Sequence, residues 1–552
     1  MAKYAIGVDY GSLSGRTVLV DVMTGKQVAC AVYEYPHGVM DTVFLDGSPL
    51  GNDWALQHPQ DYLEVLYRTI PAVLKQSAIS PQAVIGIGVD VTACTILPVK
   101  KDGTPLCFLQ EYQNRPHAYI KLWKHHAAQD KANRIGDLAR ARGEIWLKDY
   151  GGRISSEWLF PKIWQLLEED PQIYDAMDSW VEAADWIVWQ LTGVQTRNAC
   201  AAGYKGLWNK KTGYPSRAFF RELHPKLEYV VEQKLSGAVV PVGTTAGYVT
   251  AEAAKRTGLR PGTPVSVGNV DAHVCVPAAG IDTPGKLLAI MGTSACHMVM
   301  APEKHPVSGI CGVVEDGILP GYFGYEAGQP CVGDCFAWMI KNTLPQAYFE
   351  QAKIQNKNIH QYLREKAVRQ RPGQSGLLAL DWWNGNRSVL VDADLTGMIL
   401  GMNLQTKPEE IYRALIEATA YGTRVIVENY RENGIPVEEF YASGGIPQKD
   451  PMTMQIYADV LNVPVRVVSA EQGPALGSAI FGAVAAGEER GGYRSVSQAI
   501  RAMGGTEKTV YYPVSQNAAV YDRLFREYRS LYEYFGCGGN EVMKRLKVLK
   551  NS

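Results

Sequence analysis

The chain has 552 residues, of which 46% are hydrophobic and 20% are charged, a balance typical of a globular protein with two large domains or roughly three to four smaller ones. The formal net charge is −1, so electrostatics give no reason to expect nucleic acid or an anionic membrane as a partner. No window approaches the roughly 18–20 apolar residues of a transmembrane span, and Asp9 stands where a signal peptide needs an apolar core. The ten cysteines are scattered without the spacing of a disulfide framework. Together these features predict a cytoplasmic enzyme.

The first quarter of the chain is predicted to hold a meander of strands, a helix and a further strand. Residues 5–35 contain β-branched and apolar runs separated by tight turns, which favours two or three antiparallel strands. The spacing of apolar residues from Pro59 to Leu74 predicts a helix. The run that ends at Asp90 is apolar throughout, as expected of a buried strand in a parallel sheet.

A similar order of elements recurs in the second half. A strand, a turn at Gly292 and another strand come first, and a later helix precedes an apolar strand that ends near Gly444. This pattern indicates an α/β protein with two related lobes, residues 1–283 and 284–552, whose boundary lies in the segment 277–285. Each lobe is predicted to carry a phosphate-facing turn near its start.

The tail of the chain has a different composition. Beyond about Gly487 the sequence is charged and mostly helical in pattern. We expect this tail to pack back on the core of the protein or on a partner subunit.

The first motif with a chemical function follows the first strand. Gly11 lets the backbone N–H groups approach a polyphosphate closely, and Ser12, Ser14 and Arg16 add hydrogen-bond donors. Asp9, at the carboxyl end of the strand, is placed to hold Mg²⁺ through water. The alternative is an ordinary hairpin turn that begins with an aspartate.

Two glycine-containing turns in the second half suit a nucleotide. Gly292 and Thr293 form a second strand-turn-strand motif with hydroxyl donors. Gly444 and Gly445 end a strand, and their backbone, free of side chains, allows a flat base or a ribose to lie close. Each turn alone is explained as well by a simple hairpin or loop. Their order across two lobes is what favours a nucleotide site.

A candidate general base follows the apolar run before the lobe boundary. Asp271 ends a buried strand and faces the predicted cleft, where a carboxylate can accept the proton of a substrate hydroxyl during phosphoryl transfer. The alternative is an aspartate that caps a helix N-terminus. His273 is the rival base and ranks second, because two positions further along it faces elsewhere in a helix or a strand.

These motifs resemble those of the FGGY family of carbohydrate kinases, and the resemblance covers nearly the whole chain. The matching segments, in family order, are DYGSLSGR from Asp9, GNVDAH from Gly268, MGTS from Met291, GMILGMNLQTKPEEIYRALIE from Gly397 and ASGGIPQKDPMTMQIYADVLNVPV from Ala442. The resemblance implies a two-lobed actin-like ATPase (ribonuclease H-like) fold with the active site in the interdomain cleft. It also implies ATP and Mg²⁺ as cofactors, Asp271 as the catalytic base and a homodimer.

Departures from the family pattern bear on the sugar. Where many members carry WxDxR, this chain has Trp123 followed by His125 and Ala127, and the family's K-φ-x-W signature is broken after Lys162. These departures are like the ribulose-phosphorylating members of the family. They imply phosphorylation of the C5 hydroxyl of ribulose, the L form first and D-ribulose second, in L-arabinose catabolism. Trp123 is expected to pack in the core, with stacking on the sugar as the alternative.

The same resemblance implies the sugar-binding residues. Asp90 and Ala93 would line the floor of the sugar site, and Lys205 and Glu326 would bind sugar hydroxyls, for which charged donors and acceptors at fixed points are suited. The plainer readings are a solvated loop lysine for Lys205 and a turn carboxylate for Glu326.

Two other functions stay open at this level. Another pentulose or polyol kinase, for xylulose, ribitol or glycerol, would differ only in the acceptor. An actin- or Hsp70-like ATPase switch would share the fold and the nucleotide site but would phosphorylate no small molecule.

Overall fold

The computed structural model describes residues 2–468, 473–505 and 507–551 and has a mixed α/β architecture. The strands of the first half are β1 (Tyr4–Tyr10), β2 (Ser14–Asp21), β3 (Gln27–Glu34), β4 (Leu56–Gln57), β5 (Val84–Val91), β6 (Ile96–Val99), β7 (Ile120–Lys121), β8 (Ser179–Glu182), β9 (Thr196–Asn198), β10 (Ala238–Val240), β11 (Thr245–Tyr248), β12 (Pro264–Ser266) and β13 (Asn269–Val270). Its helices are α1 (Pro59–Ser77), α2 (Gln129–Arg142), α3 (Leu159–Glu169), α4 (Pro171–Ala176), α5 (Ala183–Thr192), α6 (Ala199–Gly206), α7 (Arg217–Leu223), α8 (Val230–Lys234), α9 (Ala251–Thr257) and α10 (Asp271–Ala278). Seven strands form one sheet in the order β11-β12-β5-β1-β2-β3, with β13 beside β5. The remaining strands form the four-stranded sheet β4-β7-β6-β8 and the pair β10-β9.

The second half is built around a second sheet. Its strands are β14 (Gly285–Met291), β15 (Ala295–Ala301), β16 (Gly312–Glu315), β17 (Phe323–Gln329), β18 (Leu378–Leu380), β19 (Met398–Leu400), β20 (Val437–Ser443), β21 (Val465–Val468) and β22 (Glu507–Tyr511). Its helices are α11 (Gly333–Thr343), α12 (Gln346–Ile354), α13 (Ile359–Ala367), α14 (Pro408–Glu432), α15 (Gly445–Lys449), α16 (Pro451–Leu461), α17 (Gly473–Ala486), α18 (Val496–Met503), α19 (Ser515–Gly536) and α20 (Val542–Asn551). Seven of these strands follow the order β16-β17-β15-β14-β20-β21-β22, and β18 pairs with β19. Short 3₁₀ helices lie at Pro81–Ala83, Leu106–Phe108, Pro116–Ala118, Ile145–Tyr150, Pro225–Leu227 and Glu488–Arg490.

The elements predicted for the first quarter are confirmed. Strands β1, β2 and β3 form the antiparallel meander, and β5 lies parallel to β1. Helix α1 begins at Pro59, where proline lacks only an N–H that would have no partner in the helix. The side chain of His58 caps this helix by accepting the N–H of Gln60.

The two large sheets repeat one pattern of strands. In the first, β1 pairs antiparallel with β2 and parallel with β5. In the second, β14 pairs antiparallel with β15 and parallel with β20. The carboxyl ends of β1 and β5, and of β14 and β20, therefore meet at one edge of their sheets. The two-lobed α/β fold predicted from the sequence is confirmed.

Helix α17 belongs to the second half in sequence but packs on the sheet of the first. A Cβ atom added to Gly7 in β1 would lie 1.7 Å from the carbonyl oxygen of Ala475, and one added to Gly88 in β5 would lie 1.9 Å from that of Ser478. The strands can touch the helix backbone only because glycine stands at these positions. Gly477 makes the same kind of contact with the carbonyl of Val274 in α10. Helices α10 and α17 therefore connect the two halves, and we call this pair of helices the joint.

Within the tail, α18 packs beside α10 and α17, and α19 packs on the second half. On α19 the side chains of Tyr521, Phe525, Tyr528 and Tyr532 are buried at helical spacing. The hydroxyl of Tyr528 donates to Asp381 at 2.8 Å. This packing agrees with the first of the two placements predicted for the tail. No helix in the described part of the chain is long and apolar enough to cross a bilayer.

Candidate active site

The turn after β1 gathers the first predicted motif. The N–H of Gly11 donates to the carbonyl of Ser14 at 2.9 Å and closes the turn. The register of β1 and β2 sets Arg16 opposite Asp9, and the guanidinium Nε lies 3.2 Å from the Asp9 carboxylate. Burial raises the pKa of Asp9, and the charge of Arg16 opposes this shift. The turn therefore combines one buried carboxylate with backbone and side-chain donors.

Ser12 in this turn is held by residues from outside it. The indole Nε1 of Trp123 donates to the Ser12 hydroxyl at 2.9 Å, and the side-chain amide of Gln57 donates to the Ser12 carbonyl at 2.7 Å. The side chain of Trp123 is 38% exposed. The expectation that Trp123 packs in the core is wrong, because its indole lies over the turn and its N–H has a partner there.

Asp90 joins Asp9 at the carboxyl edge of the first sheet. The parallel register of β1 and β5 sets the two aspartates side by side. Asp90 has no exposed surface, and its carboxylate accepts a hydrogen bond of 2.5 Å from the hydroxyl of Ser478 in α17. Burial, and then the charge of Asp9, raise the pKa of Asp90 well above its usual range. The structure therefore groups Asp90 with Asp9 beneath the cleft.

Asp271 is the first residue of α10, where the chain leaves β13. The cap position of this helix is Val270, so Asp271 is not the N-cap residue that the alternative interpretation required. Its carboxylate accepts the N–H of Ala272 at 2.7 Å. Burial, and then the charge of Asp9, raise the pKa of Asp271 to about 7. A half-buried carboxylate of this kind changes its charge near neutral pH, as a proton acceptor requires.

Lys205 and Glu326 form an ion pair between the two halves. Lys205 lies on α6 of the first half, Glu326 on β17 of the second, and the ammonium lies 2.9 Å from the nearer carboxylate oxygen. Burial alone would raise the pKa of Glu326, but Lys205 beside it holds that pKa well below its usual range. Both side chains are nearly buried. The alternative interpretations, a solvated loop lysine for Lys205 and a turn carboxylate for Glu326, are therefore wrong.

His273 lies against this pair. Its Nε2 is 3.4 Å from a carboxylate oxygen of Glu326, and its ring packs on Tyr204 with 4.3 Å between centroids. Burial lowers the pKa of His273. The imidazole is therefore placed to hold Glu326, on a different face of α10 from Asp271.

A cavity of about 920 Å³ opens between the halves beside the ion pair. Its walls come from residues 129–158 of the first half and from residues 308–311 and 384–393 of the second, and Lys205 and Glu326 form part of the lining. This volume is in the usual range for a small-molecule site, about 300–1,000 Å³. Ala93 lies just beyond β5 and is half-buried between the core of the first half and the joint.

The turn after β14 is exposed and is hydrogen-bonded to the start of α11. The N–H of Gly292 donates to Ser294, and the N–H groups of Val332 and Gly333 at the start of α11 donate to the carbonyls of Thr293 and Gly292 at 2.8 and 3.0 Å. Residues 292–294 are exposed. A Cβ added to Gly292 would meet nothing within 4 Å, so space for a ligand lies directly above the turn.

Gly444 and Gly445 lie beside this turn because β20 is parallel to β14. Gly444 has φ of +108°, and a Cβ there would lie 2.3 Å from the carbonyl oxygen of Met291. Gly445 starts α15, and a Cβ there would meet no atom within 4 Å. The first glycine is thus required by the fold, whereas the second leaves an open surface. The structure brings both nucleotide motifs to one edge of the second sheet.

Arg387 is a cavity residue that the sequence did not reveal. It lies in the loop after β18 and lines the cavity together with Lys205 and Glu326. The surrounding sequence, WWNGNRS, has no periodicity and matches no motif. The only local signal is Gly328, two positions after Glu326, which leaves room for a side chain from elsewhere.

Comparisons with known proteins agree with this geometry. Residues 4–276 match the N-terminal domain and residues 287–486 the C-terminal domain of the FGGY family of carbohydrate kinases. A ribulokinase of Bacillus licheniformis is 58% identical over 540 residues, which cover 98% of each chain. A ribulokinase of Anoxybacillus flavithermus is 55% identical over 551 residues, which cover 100% of this chain and 98% of the relative.

A solved structure supports the fold. The crystal structure of gluconate kinase from Lactobacillus acidophilus matches with a TM-score of 0.80 at 18% identity, over 98% of this chain and 99% of that one. At this identity the likeness concerns the fold alone. The two family domains and the full-length relatives exclude the actin- or Hsp70-like switch that the sequence left open. The chain belongs to the FGGY family of carbohydrate kinases and is an ATP-dependent sugar kinase.

Proposed function

We propose that this kinase transfers the γ-phosphoryl group of ATP to the C5 hydroxyl of ribulose, and of L-ribulose more readily than D-ribulose. The observation that carries the proposal is the 58% identity to a ribulokinase along 98% of both chains. The cavity supports it, because the cavity presents the Lys205–Glu326 pair to a polar acceptor and the Asp271 carboxyl interacts with both of these charges.

Asp271 is the proposed catalytic base. The acceptor hydroxyl loses its proton to this carboxylate while its oxygen attacks the γ-phosphorus. The pKa of about 7 supports this role, because at that value the group is largely ionised at slightly alkaline pH and still basic enough to take a proton. Asp271 is also close enough to Lys205 and Glu326 to interact with both charges.

Lys205 and Glu326 are the proposed contacts to the sugar hydroxyls, with Ala93 and Asp90 at the floor of the site. The ammonium of Lys205 has three donors, and Glu326 takes up two of its interactions, at 2.9 and 3.1 Å. The Glu326 carboxylate keeps further acceptor capacity. A polyol placed between them finds a donor and an acceptor that the fold already holds in position.

The nucleotide would lie against the turns at the carboxyl edges of the two large sheets. Gly11, Ser12, Ser14 and Arg16 on one side and Gly292 and Thr293 on the other are the proposed phosphate contacts, and Gly444 and Gly445 are the proposed adenosine surface. The open space above Gly292 and Gly445 supports this placement. Backbone N–H groups and hydroxyls suit the phosphates because they donate hydrogen bonds without adding a bulky side chain.

The buried carboxylates fit a magnesium ion. One carboxylate oxygen of Asp90 has no hydrogen-bond partner in the described part of the chain, and burial raises the pKa of Asp9 and Asp90, so a nearby cation would stabilise their ionised forms. No three acidic, histidine or cysteine side chains among the described residues converge closely enough to chelate a metal directly. Asp9 is therefore proposed to hold Mg²⁺ through water. When bound, the ion would neutralise charge on the phosphates.

Other parts of the proposal concern the whole molecule. We expect the lobe boundary at residues 283 and 284, because α10 ends at Ala278 and β14 begins at Gly285. A homodimer is expected from the family and is checked by light scattering. A cytoplasmic location is supported by the ten cysteines, all of which are free thiols.

The test is ATP consumption in a coupled ADP assay with a panel of acceptors. L-ribulose, D-ribulose, xylulose, ribitol, arabitol and glycerol are compared at equal concentration. We expect strong turnover with the ribuloses alone. A clear preference for xylulose, ribitol or glycerol would keep the sugar kinase mechanism and contradict the assignment of ribulose.

A further inference from the structure

Arg387, in the second half of the chain, extends into the cavity between the two halves. Its side chain lines the same cavity as Lys205 and Glu326. Over residues 2–468, 473–505 and 507–551, no hydrogen bond or ion pair engages its guanidinium. Arg140, on the facing wall, differs because it donates to Asp137 and to the carbonyl of Gly152. The five N–H donors of Arg387 are therefore available to a ligand.

Gly328 allows this placement. A Cβ added to Gly328 would lie 2.9 Å from Cδ of Arg387, so any larger residue would push the arginine away. Glu326 and Gly328 are two positions apart on β17 and face the same side of the sheet. Arg387 therefore crosses β17 over Gly328, beside Glu326. Its charge also interacts with Cys311 and Glu157, which line the same cavity.

Glu326 stands between the two ends of the acceptor site. On one side, His273 of α10, the helix that begins with Asp271, lies 3.4 Å from a carboxylate oxygen of Glu326. On the other side, Arg387 lies over Gly328, two positions along β17 from Glu326. A sugar that lies against the Lys205–Glu326 pair with its reacting hydroxyl at Asp271 would point its other end toward Arg387.

We propose that Arg387 binds the end of the sugar remote from the phosphorylated hydroxyl and selects for a ketose there, an inference that rests on the proposed ribulose kinase function. In ribulose that end carries the C2 carbonyl and the C1 hydroxyl. A guanidinium only donates hydrogen bonds, a carbonyl oxygen only accepts them, and both groups are planar. The two adjacent oxygens suit the fork of the guanidinium. In a pentitol C2 is tetrahedral and its hydroxyl carries a proton, so the two oxygens form a weaker and differently directed pair of acceptors.

The test compares Arg387→Met and Arg387→Lys with the wild-type enzyme. We expect Arg387→Met to raise the KM for L-ribulose about 10- to 100-fold, the range for losing hydrogen bonds from a charged donor. The kcat and the KM for ATP should change by less than about threefold, because Arg387 is remote from the reacting hydroxyl. The inhibition constant of ribitol should likewise change by less than about threefold. Arg387→Lys should recover part of the loss, since it restores the charge but not the fork.

Two further variants separate binding from folding. Gly328→Ala leaves the arginine in the chain but displaces it, and should raise the KM for L-ribulose in the same direction. Arg371→Met removes the charge of an exposed arginine in the same half and should leave every kinetic constant unchanged.

A KM for ribulose that stays within about threefold in Arg387→Met, or an equal loss of affinity for ribulose and ribitol, would overturn the proposal. If the wild-type enzyme did not turn over ribulose, the proposed function would fail instead. The same comparison with the ketose that is turned over would still decide the role of Arg387.

Discussion

The carboxyl edges of the two large sheets share a strand arrangement but carry different side chains. In the first sheet, β1 and β5 end in the adjacent aspartates Asp9 and Asp90. In the second, the corresponding strands β14 and β20 set Ile290 beside Ser443, and Gly292 and Gly444 follow in the adjoining turns. One edge is acidic and buried, and the other is neutral and exposed.

This difference explains how a repeated scaffold supports one reaction. The acidic edge holds carboxylates whose pKa values are raised by burial, which suits proton transfer and a cation. The neutral edge offers N–H and hydroxyl groups, which suit an anionic nucleotide. The Lys205–Glu326 pair joins the two halves between these edges. Changes to the carboxylates of the first edge and to the glycines of the second should therefore affect different kinetic constants.

The largest effect is expected at the acidic edge, from Asp271→Asn. The amide has nearly the same size but cannot accept the substrate proton, so kcat should fall by about two to four orders of magnitude. ATP binding should stay nearly intact, because the glycine turns of the second sheet are unchanged. Steady-state kinetics and nucleotide titration measure the two quantities separately. A variant that keeps near wild-type turnover would remove Asp271 from this role.

A smaller and different effect is expected at the neutral edge, from a matched pair of glycine substitutions. Gly445→Ala adds a methyl group where no atom lies within 4 Å, so the fold should be unaffected while the KM for ATP rises about tenfold. Gly444→Ala introduces strain at φ of +108° and a clash with Met291, so it should also lower the free energy of unfolding by about 1–3 kcal/mol. Kinetics and chemical denaturation of both variants check the pair. An unchanged KM for ATP in Gly445→Ala would place the nucleotide elsewhere.

The pH dependence should follow the acidic edge. Because the pKa of Asp271 is raised to about 7, the carboxylate is protonated below that value and cannot accept a proton. The kcat/KM for the sugar should therefore fall about tenfold per unit below pH 7 and level off above it. Gly445→Ala should keep the same profile, since it alters the other edge. A flat profile between pH 5 and 8 would contradict the assignment of the base.

The smallest effect is expected at the joint, from Ser478→Ala. This substitution removes the hydrogen bond of 2.5 Å by which α17 of the second half holds Asp90. Leaving a buried carboxyl group without this donor should lower the free energy of unfolding by about 1–2 kcal/mol. Ser530→Ala, on the exposed face of α19, serves as the control. If Ser478→Ala and Ser530→Ala had the same free energy of unfolding, the hydrogen bond from Ser478 to Asp90 would not contribute to stability.

Local features of the sequence were sufficient to predict the strands and turns of the site. Apolar runs that end in Asp9, Asp90 or a glycine pair depend on neighbouring residues only, and the structure has strands at each of them. The proximity of Asp9 and Asp90 could be anticipated only once β1 and β5 were known to be parallel neighbours. Local pattern therefore located the functional groups, and topology brought them together.

Features that depend on distant contacts could not be predicted in this way. Helix α17 is apolar on nearly all sides, so periodicity gives no sign that it packs on the sheet of the other half. Its contacts depend on Gly7 and Gly88, which stand 468 and 390 residues before their partners Ala475 and Ser478. The position of Arg387 likewise depends on Gly328, which lies far away in the sequence, on β17. A single sequence shows the glycine at each of these positions but not the distant residue that packs against it.

The proposed transfer of phosphate to the C5 hydroxyl of ribulose is tested most directly by identifying the product. The wild-type enzyme is incubated with ATP, Mg²⁺ and L-ribulose, and the product is analysed by ³¹P and ¹³C nuclear magnetic resonance. We predict one phosphomonoester whose phosphorus couples to C5 of the sugar. A phosphate ester at another carbon, or release of inorganic phosphate without an ester, would contradict it.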